Sequence, residues 1–217
     1  MGTTSEFYHF DIILLGEATK MADSVIAACQ QGQSLGLGPK RTRFSIISIC
    51  SVLPTGLKAG VHQTRLSDWL QSSILSESPT IEPQVEIAIH CETPVRLKTD
   101  GKIFKQHIPS LEEWLNHVVR RWKKLSELWV LDNKELFEGL YQELPQLGDY
   151  ETNAHLYFED WQRYSLKEKS HLPFGGLKGQ ISYFGDISVA IPWLVIGEQL
   201  QIGGKTTFGL GHYKLIA

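Results

Sequence analysis

No stretch of this chain approaches the roughly 18 consecutive apolar residues that a helix needs to cross a bilayer, and no basic n-region precedes a signal-like core. The protein is therefore expected to be intracellular and cytoplasmic, with no membrane partner. Cysteine is scarce. Cys29, Cys50 and Cys91 stand far apart among apolar neighbours and form no CxxC pair, which argues against a zinc site and predicts reduced core residues. A surplus of positive charge is also missing. With 21 basic and 24 acidic side chains in 217 residues, the net charge of −3 does not suit a bulk nucleic-acid binder, so any RNA-gripping cations have to be clustered locally. What is present is an ordinary soluble composition, 42% apolar and 21% charged, long enough for one or two small domains.

The densest information lies at the C-terminal end, in Ile202-Gly203-Gly204-Lys205-Thr206-Thr207-Phe208-Gly209-Leu210-Gly211-His212-Tyr213-Lys214. Gly203, Gly204, Gly209 and Gly211 leave little side-chain bulk, so backbone N–H groups can approach anionic oxygens while Lys205 adds charge. Gly204-Lys205-Thr206 looks like the end of a nucleotide-binding P-loop. It fails twice: the glycine required five residues earlier is Gln199, and Thr207 to Ile216 reads as a closing strand where a P-loop opens a helix.

Apolar periodicity divides the chain at about residue 83. Before it, Phe7 to Leu15 reads as a buried strand, Ala18 to Gln31 as an amphipathic helix, Arg43 to Val52 as a second strand, and Pro54 to Pro83 as a connector with at most short pieces of structure. After it come a strand at Val85 to Ile89 and a helix from Ser110 to about Val130 with Glu112 and Glu113 in its first turn. A short helix at Lys134 to Glu143, a strand at His155 to Phe158, a hairpin-like pair over Lys167 to Phe184, a helix at Ser188 to Gly197 and the terminal strand follow. The expected fold class is α+β. Residues 84–217 read β-α-β-β-α-β, a complete ferredoxin-like (RRM-like) domain.

Four segments in this order resemble the CRISPR-associated repeat-processing endoribonucleases of the RAMP superfamily, the Cas six family. The glycine-rich GGKTTFGLGHYKL resembles the family's loop and last strand. Thr93-Pro94-Val95-Arg96-Leu97-Lys98 with Asp100-Gly101-Lys102 resembles the strand and turn that open its C-terminal domain. Trp161-Gln162-Arg163-Tyr164-Ser165-Leu166-Lys167 with Gly175-Gly176-Leu177-Lys178-Gly179 is similar to its central hairpin, and Leu35 to Phe44 to the segment that ends its N-terminal domain. The resemblance implies that residues 1–83 are a shortened ferredoxin-like N-terminal domain plus connector, lacking its first strand and helix. It also implies that Gln201 stands where many relatives carry histidine, so two usual histidine candidates are absent.

The implied partners are CRISPR repeat RNA, or the crRNA matured from it, and other subunits of a CRISPR effector complex, such as a backbone RAMP protein. The implied reaction is crRNA processing for antiviral defence, with no metal and no cofactor: a ribose 2′-OH attacks the adjacent phosphate, leaving a 2′,3′-cyclic phosphate and a 5′-OH. Such a protein holds the nucleotide in line, removes a proton and stabilises charge on the phosphorane. His171, beside Lys167, Lys169 and Lys178, is a candidate base or a solvated loop histidine, and Tyr164 orients or deprotonates the 2′-OH or anchors the sheet. Lys205 contacts phosphate or is simply soluble. His212, His9 and His117 read as structural. Glu159 and Asp160, adjacent on a strand, point to opposite faces and do not share a metal. Candidate RNA contacts are Arg163, Lys167, Lys169 and Lys178 on the hairpin and Lys40, Arg41 and Arg43 after a glycine turn. The helical run Arg120-Arg121-Trp122-Lys123-Lys124 reads either as part of an RNA patch or as a solvated outer face. A non-catalytic subunit that caps the crRNA hairpin fits the same residues.

Overall fold

A computed structural model describes residues 7–75, 84–99, 101–129 and 144–216. Its regular elements are α1 (Ala22–Leu35), β1 (Cys50–Leu53), β2 (Gly56–Ala59), α2 (Leu66–Leu75), β3 (Gln84–Val95), β4 (Lys98–Thr99) and β5 (Lys102–Ile103). They continue with α3 (Leu111–Trp129), β6 (Tyr150–Glu159), β7 (Gln162–Ser165), β8 (Ser170–Pro173), β9 (Gly176–Asp186), α4 (Ile191–Leu200) and β10 (Tyr213–Ile216).

The main sheet is antiparallel with strand order β10-β3-β9-β6. Alternation along each strand sends one face to the helices. The row Leu215, Ile89, Ile181 and Ala154 crosses the sheet in register and packs into the core with α3 and α4. Helix α3 buries Leu111, Trp114, Leu115 and Val118 at helical spacing, and Ser110 starts it with a capping box. The Ser110 N–H donates to Glu113 Oε2 at 2.9 Å while the Glu113 N–H donates to Ser110 Oγ at 3.2 Å. Helix α4 carries Pro192 in its first turn and is apolar nearly all round, as befits a helix wedged between α3 and the sheet edge. Two core tyrosines bury their rings and still place the hydroxyl: Tyr213 donates to the Leu194 carbonyl at 2.5 Å and Tyr183 to that of Pro109 at 2.8 Å. With the last strand beside the first, the described residues form the expected β-α-β-β-α-β arrangement, but the hairpin read over Lys167 to Phe184 is instead β7–β8, and β9 is a separate central strand of the main sheet.

The N-terminal part departs from expectation. Phe7 to Leu15 forms no strand, and Phe7, Tyr8 and Phe10 are 75%, 83% and 68% exposed, because no strand among the described residues pairs with this segment. His9 is exposed for the same reason and is not a packing residue. Of Arg43 to Val52 only the end is strand, in the β1–β2 hairpin, and the connector after it holds both β2 and α2. Leu15 and Leu70 lie partly buried against the C-terminal core. Cys91 alone is a core cysteine, its thiol pushed up to about 12 by burial; Cys29 is half-buried and Cys50 exposed. The helix expected at Lys134 to Glu143 falls outside the described residues. Among those described, no helix is long and apolar enough to cross a membrane.

His117 is buried on α3, edge-on to Phe104, as a structural histidine should be. Burial, reinforced by Arg120, pushes it down from 6.5 to about 4 against the opposing hydrogen bond to the Lys98 backbone. Between those values the unfolded chain binds the proton and the folded chain does not, so stability is full above pH 6.5 and is lost as pH falls toward 4. The loss is about 3 kcal/mol at most. Urea unfolding at pH 7, 5.5 and 4.5 should show this slope in the wild type and a shallower one in His117→Phe.

Candidate nucleic-acid interface

The end of the sheet where β3 and β6 finish and β9 and β10 begin gathers three connections: 96–110 between β3 and α3, 160–175 between β6 and β9, and 201–212 between α4 and β10. The glycine-rich segment is a loop, not a strand. Its Thr206–Phe208 portion is a 3-10 turn, and regular pairing starts only at Tyr213, so Gly209, Gly211 and His212 lie outside the strand assigned to them from sequence. The loop is stitched to the end of β3, whose pairing with β9 is irregular between Cys91 and Val95. The Gly211 N–H donates to the Pro94 carbonyl at 3.1 Å, the His212 N–H to Thr93 Oγ1 at 2.9 Å, and the Gly204 N–H to the Arg96 carbonyl at 3.0 Å.

Gly203 and Gly211 are glycine for close approach. Both have positive φ, and a Cβ would fall 2.5 Å from the Arg96 carbonyl oxygen at Gly203 and on the Ile202 carbonyl oxygen at Gly211. Gly209 has φ +81° but opens onto empty space, so no backbone crowds it. Gly204 lies over the Arg96 side chain.

Arg96, which sequence reading passed over as a residue in its own right, is only 6% exposed and donates Nη1 to the Gly175 carbonyl at 2.7 Å. Burial lowers its guanidinium below the usual arginine range, and the Asp160 carboxylate works in the opposite direction. It ties the glycine-rich loop to the root of the β7–β8 hairpin. Next to Gly175, buried Phe174 meets Phe208 edge-on at 5.1 Å and Trp161 at 5.0 Å. Over this aromatic group stand two cations: the Arg163 guanidinium 4.8 Å from the half-exposed Phe208 ring, and Lys205 Nζ 5.2 Å from that of Phe174. Two residues 42 positions apart in sequence thus form one cationic clamp around an accessible aromatic face. Phosphate oxygens can pair with such cations while a base stacks on the ring.

Other predicted contacts distribute around the clamp. Lys167 and Lys169 sit in the exposed turn joining β7 to β8, with Lys169 at φ 49°. Lys178 is not on that hairpin; it lies on β9 and pairs with Glu159 at 3.9 Å, which also accounts for that carboxylate. Tyr164 and His171 face each other across the hairpin, ring centroids 5.2 Å apart and both exposed. Arg163 pairs with Leu172, so alternation puts the Tyr164–His171 pair on the hairpin face opposite Arg163. Lys40, Arg41 and Arg43 are exposed at the tight turn after α1, closed by paired hydrogen bonds between Leu37 and Thr42. In the helical run, Arg121 donates Nε to the Leu200 carbonyl and Trp122 packs on Trp193, leaving Arg120, Lys123 and Lys124 exposed.

A sequence model of the CRISPR-associated endoribonuclease Cas6 family matches residues 89–213, more than half of the chain and all three connections of the site. Among solved structures, a Cas6 product complex is similar at 13% identity and TM-score 0.49, covering 93% of this chain and 74% of that one. A Thermus thermophilus Cas6 is similar at 16% identity and TM-score 0.43, covering 70% and 58%. A partial Cas6-RT-Cas1–Cas2 complex is similar at 15% identity and TM-score 0.46, covering 76% of this chain and 29% of that one. No curated protein matches.

The glycines separate two kinds of strain. Gly209→Ala should cost only the left-handed backbone penalty, about 1–2 kcal/mol, whereas Gly211→Ala adds collision with a backbone carbonyl. Thermal melts should rank wild type above Gly209→Ala above Gly211→Ala, and equal melting of the two variants would show that the loop yields at Gly211.

Proposed function

Because the chain belongs to the CRISPR-associated endoribonuclease Cas6 family, we propose that it binds the stem-loop of a CRISPR repeat RNA and cuts the precursor transcript at the 3′ side of that hairpin. It then stays on the crRNA product beside other effector subunits, a backbone RAMP protein among them. The observation that carries this reading is the convergence of Arg163 and Lys205 on Phe174 and Phe208, a grip for one phosphate and one base. The β7–β8 turn extends the grip, with Lys167 and Lys169 reaching the backbone of the stem by shape and charge. Lys178, Lys40, Arg41 and Arg43 complete the RNA surface in this reading. Residues 84–217 are the RNA-binding domain, and residues 1–83 are the shortened N-terminal domain and its connector.

The cleavage proposed is metal-independent. The 2′-oxygen forms a bond to phosphorus, the bond to the 5′-oxygen breaks, and the 2′-OH proton passes to His171, oriented by Tyr164. The 5′-oxygen takes a proton from solvent, and the products are a 2′,3′-cyclic phosphate and a 5′-OH. Arg163 and Lys205 hold an adjacent phosphate of the same strand on the other face of the hairpin.

A second reading, a non-catalytic subunit that holds the crRNA hairpin, draws support from one observation. The Tyr164–His171 pair and the Arg163–Lys205 clamp lie on opposite faces of the hairpin, so a phosphate held by the clamp is not presented to the histidine.

Incubating the protein with end-labelled repeat RNA in EDTA separates the two readings: cleavage supports the first, binding alone the second. Under single-turnover conditions His171→Ala should slow cleavage by about 10²–10⁴-fold with affinity nearly unchanged, and Tyr164→Phe by less. Cleavage by both variants at the wild-type rate would remove these two residues from the mechanism. Reversing Arg163, Lys167 and Lys169 to glutamate should abolish binding while circular dichroism stays native, and wild-type binding should weaken steeply with salt.

A further inference from the structure

Beside the clamp, residues of the β3–α3 connection border a shallow, open cleft of about 560 Å³ lined in part by Thr99, Lys102, Lys105, Gln106, His107 and Glu113. We propose that this cleft is a second RNA subsite, taking one nucleotide of the single strand that leaves the repeat hairpin, with its phosphates held by Lys102 and Lys105. The inference rests on the reading of the clamp as an RNA site.

Position argues first. The cleft opens at the same end of the sheet as the clamp, and a chain of contacts joins them. Lys105 Nζ stands 5.2 Å from the Phe158 ring. The Phe158 ring lies 2.8 Å from where a Cβ on Gly175 would sit, and Gly175 follows Phe174, the ring beneath Lys205. Two aromatic side chains, Phe158 and Phe174, with Gly175 between them, thus link the cation of the cleft to those of the clamp.

Chemistry argues second. The cleft is shallow and open to solvent, so a single strand can lie across it. Two exposed ammonium groups, a carboxamide and an imidazole offer donors along its wall. Among the described lining residues the one carboxylate, Glu113, is already engaged: it contacts His107 Nε2 at 2.7 Å and accepts the Ser110 N–H at 2.9 Å. His107 is further held edge-on against Phe104 at 4.6 Å, and Lys102 is fixed on β5 opposite Thr99 of β4. The wall is thus held in place by contacts that need no ligand.

The test uses fluorescence anisotropy with two RNAs, the repeat stem-loop alone and the same stem-loop with a single-stranded extension. The wild type should bind the extended RNA more tightly, and Lys102→Ala/Lys105→Ala should lose that increment while binding the bare stem-loop as before. For the extended RNA, the slope of log affinity against log salt should become shallower by about 0.7 for each phosphate that the variant no longer neutralises. Both lysines are exposed, so folding should be untouched, and Lys102→Ala alone, which leaves Lys105 in place over Phe158, should show part of the effect. Wild-type binding of both RNAs by the variant, or an equal loss on both, overturns the subsite and leaves the clamp standing. If the wild type binds neither RNA, the reading of the clamp falls and the subsite with it.

Discussion

The candidate site depends on one buried arginine. Arg96 follows the last residue of β3, with its side chain running under Gly204 to the Gly175 carbonyl and its own carbonyl held by the Gly204 N–H. A guanidinium removed from water is tolerated only when its donors find acceptors, and here the acceptor is the backbone at the root of a hairpin. Placing that charge therefore fixes the distance between two segments, 160–175 and 201–212, that share no regular strand pairing. Glycine at 203 follows from the same constraint, since any side chain there meets the Arg96 carbonyl.

With the two segments held together, the remaining geometry is a matter of aromatic contact. Phe174 is buried because the arginine joint closes over Gly175, and its ring becomes the floor on which Phe208 and Trp161 rest. Arg163 and Lys205 both stand within 6.0 Å of the Phe174 ring centroid. Two of the acidic side chains near this end are paired among themselves and their neighbours: Glu159 with Lys178, and Glu113 with His107 and the α3 cap. A chain with net negative charge thus presents a locally cationic end, which is how a charge of −3 and a polyanionic ligand become compatible.

The two halves of the chain differ in how far their sequences could be read. In residues 84–217 the main elements carry local signals, such as Ser110 with Glu112 and Glu113 at the start of α3, and these elements find the partners that their apolar faces require. Phe7 to Leu15 carries an equally clear apolar signal and forms no strand, because a strand is completed by its neighbour and not by its own side chains. The glycine-rich segment misled for a related reason. Its apolar residues suggested a strand to Ile216, but four positive-φ positions, Gly203, Lys205, Gly209 and Gly211, belong to a loop, and φ is not visible in composition.

Sequence by itself determined what is local and periodic: the alternation of the main-sheet strands with α3 and α4, the helix start at Ser110, the turn bearing Lys40 and Arg41, and the residue types able to meet an RNA backbone. Tertiary structure alone decided which of those residues meet. Arg163 and Lys205 converge because strand order brings three connections to one end of the sheet, and Lys178 parts from Lys167 because one lies on the main sheet and the other on a hairpin turn. Tyr164 and His171 are brought face to face, yet turned from Arg163, by a cross-strand register that no single segment encodes. The reason is physical: local preferences act over a few residues, whereas a site depends on contacts between segments whose distance is set by packing of the whole domain.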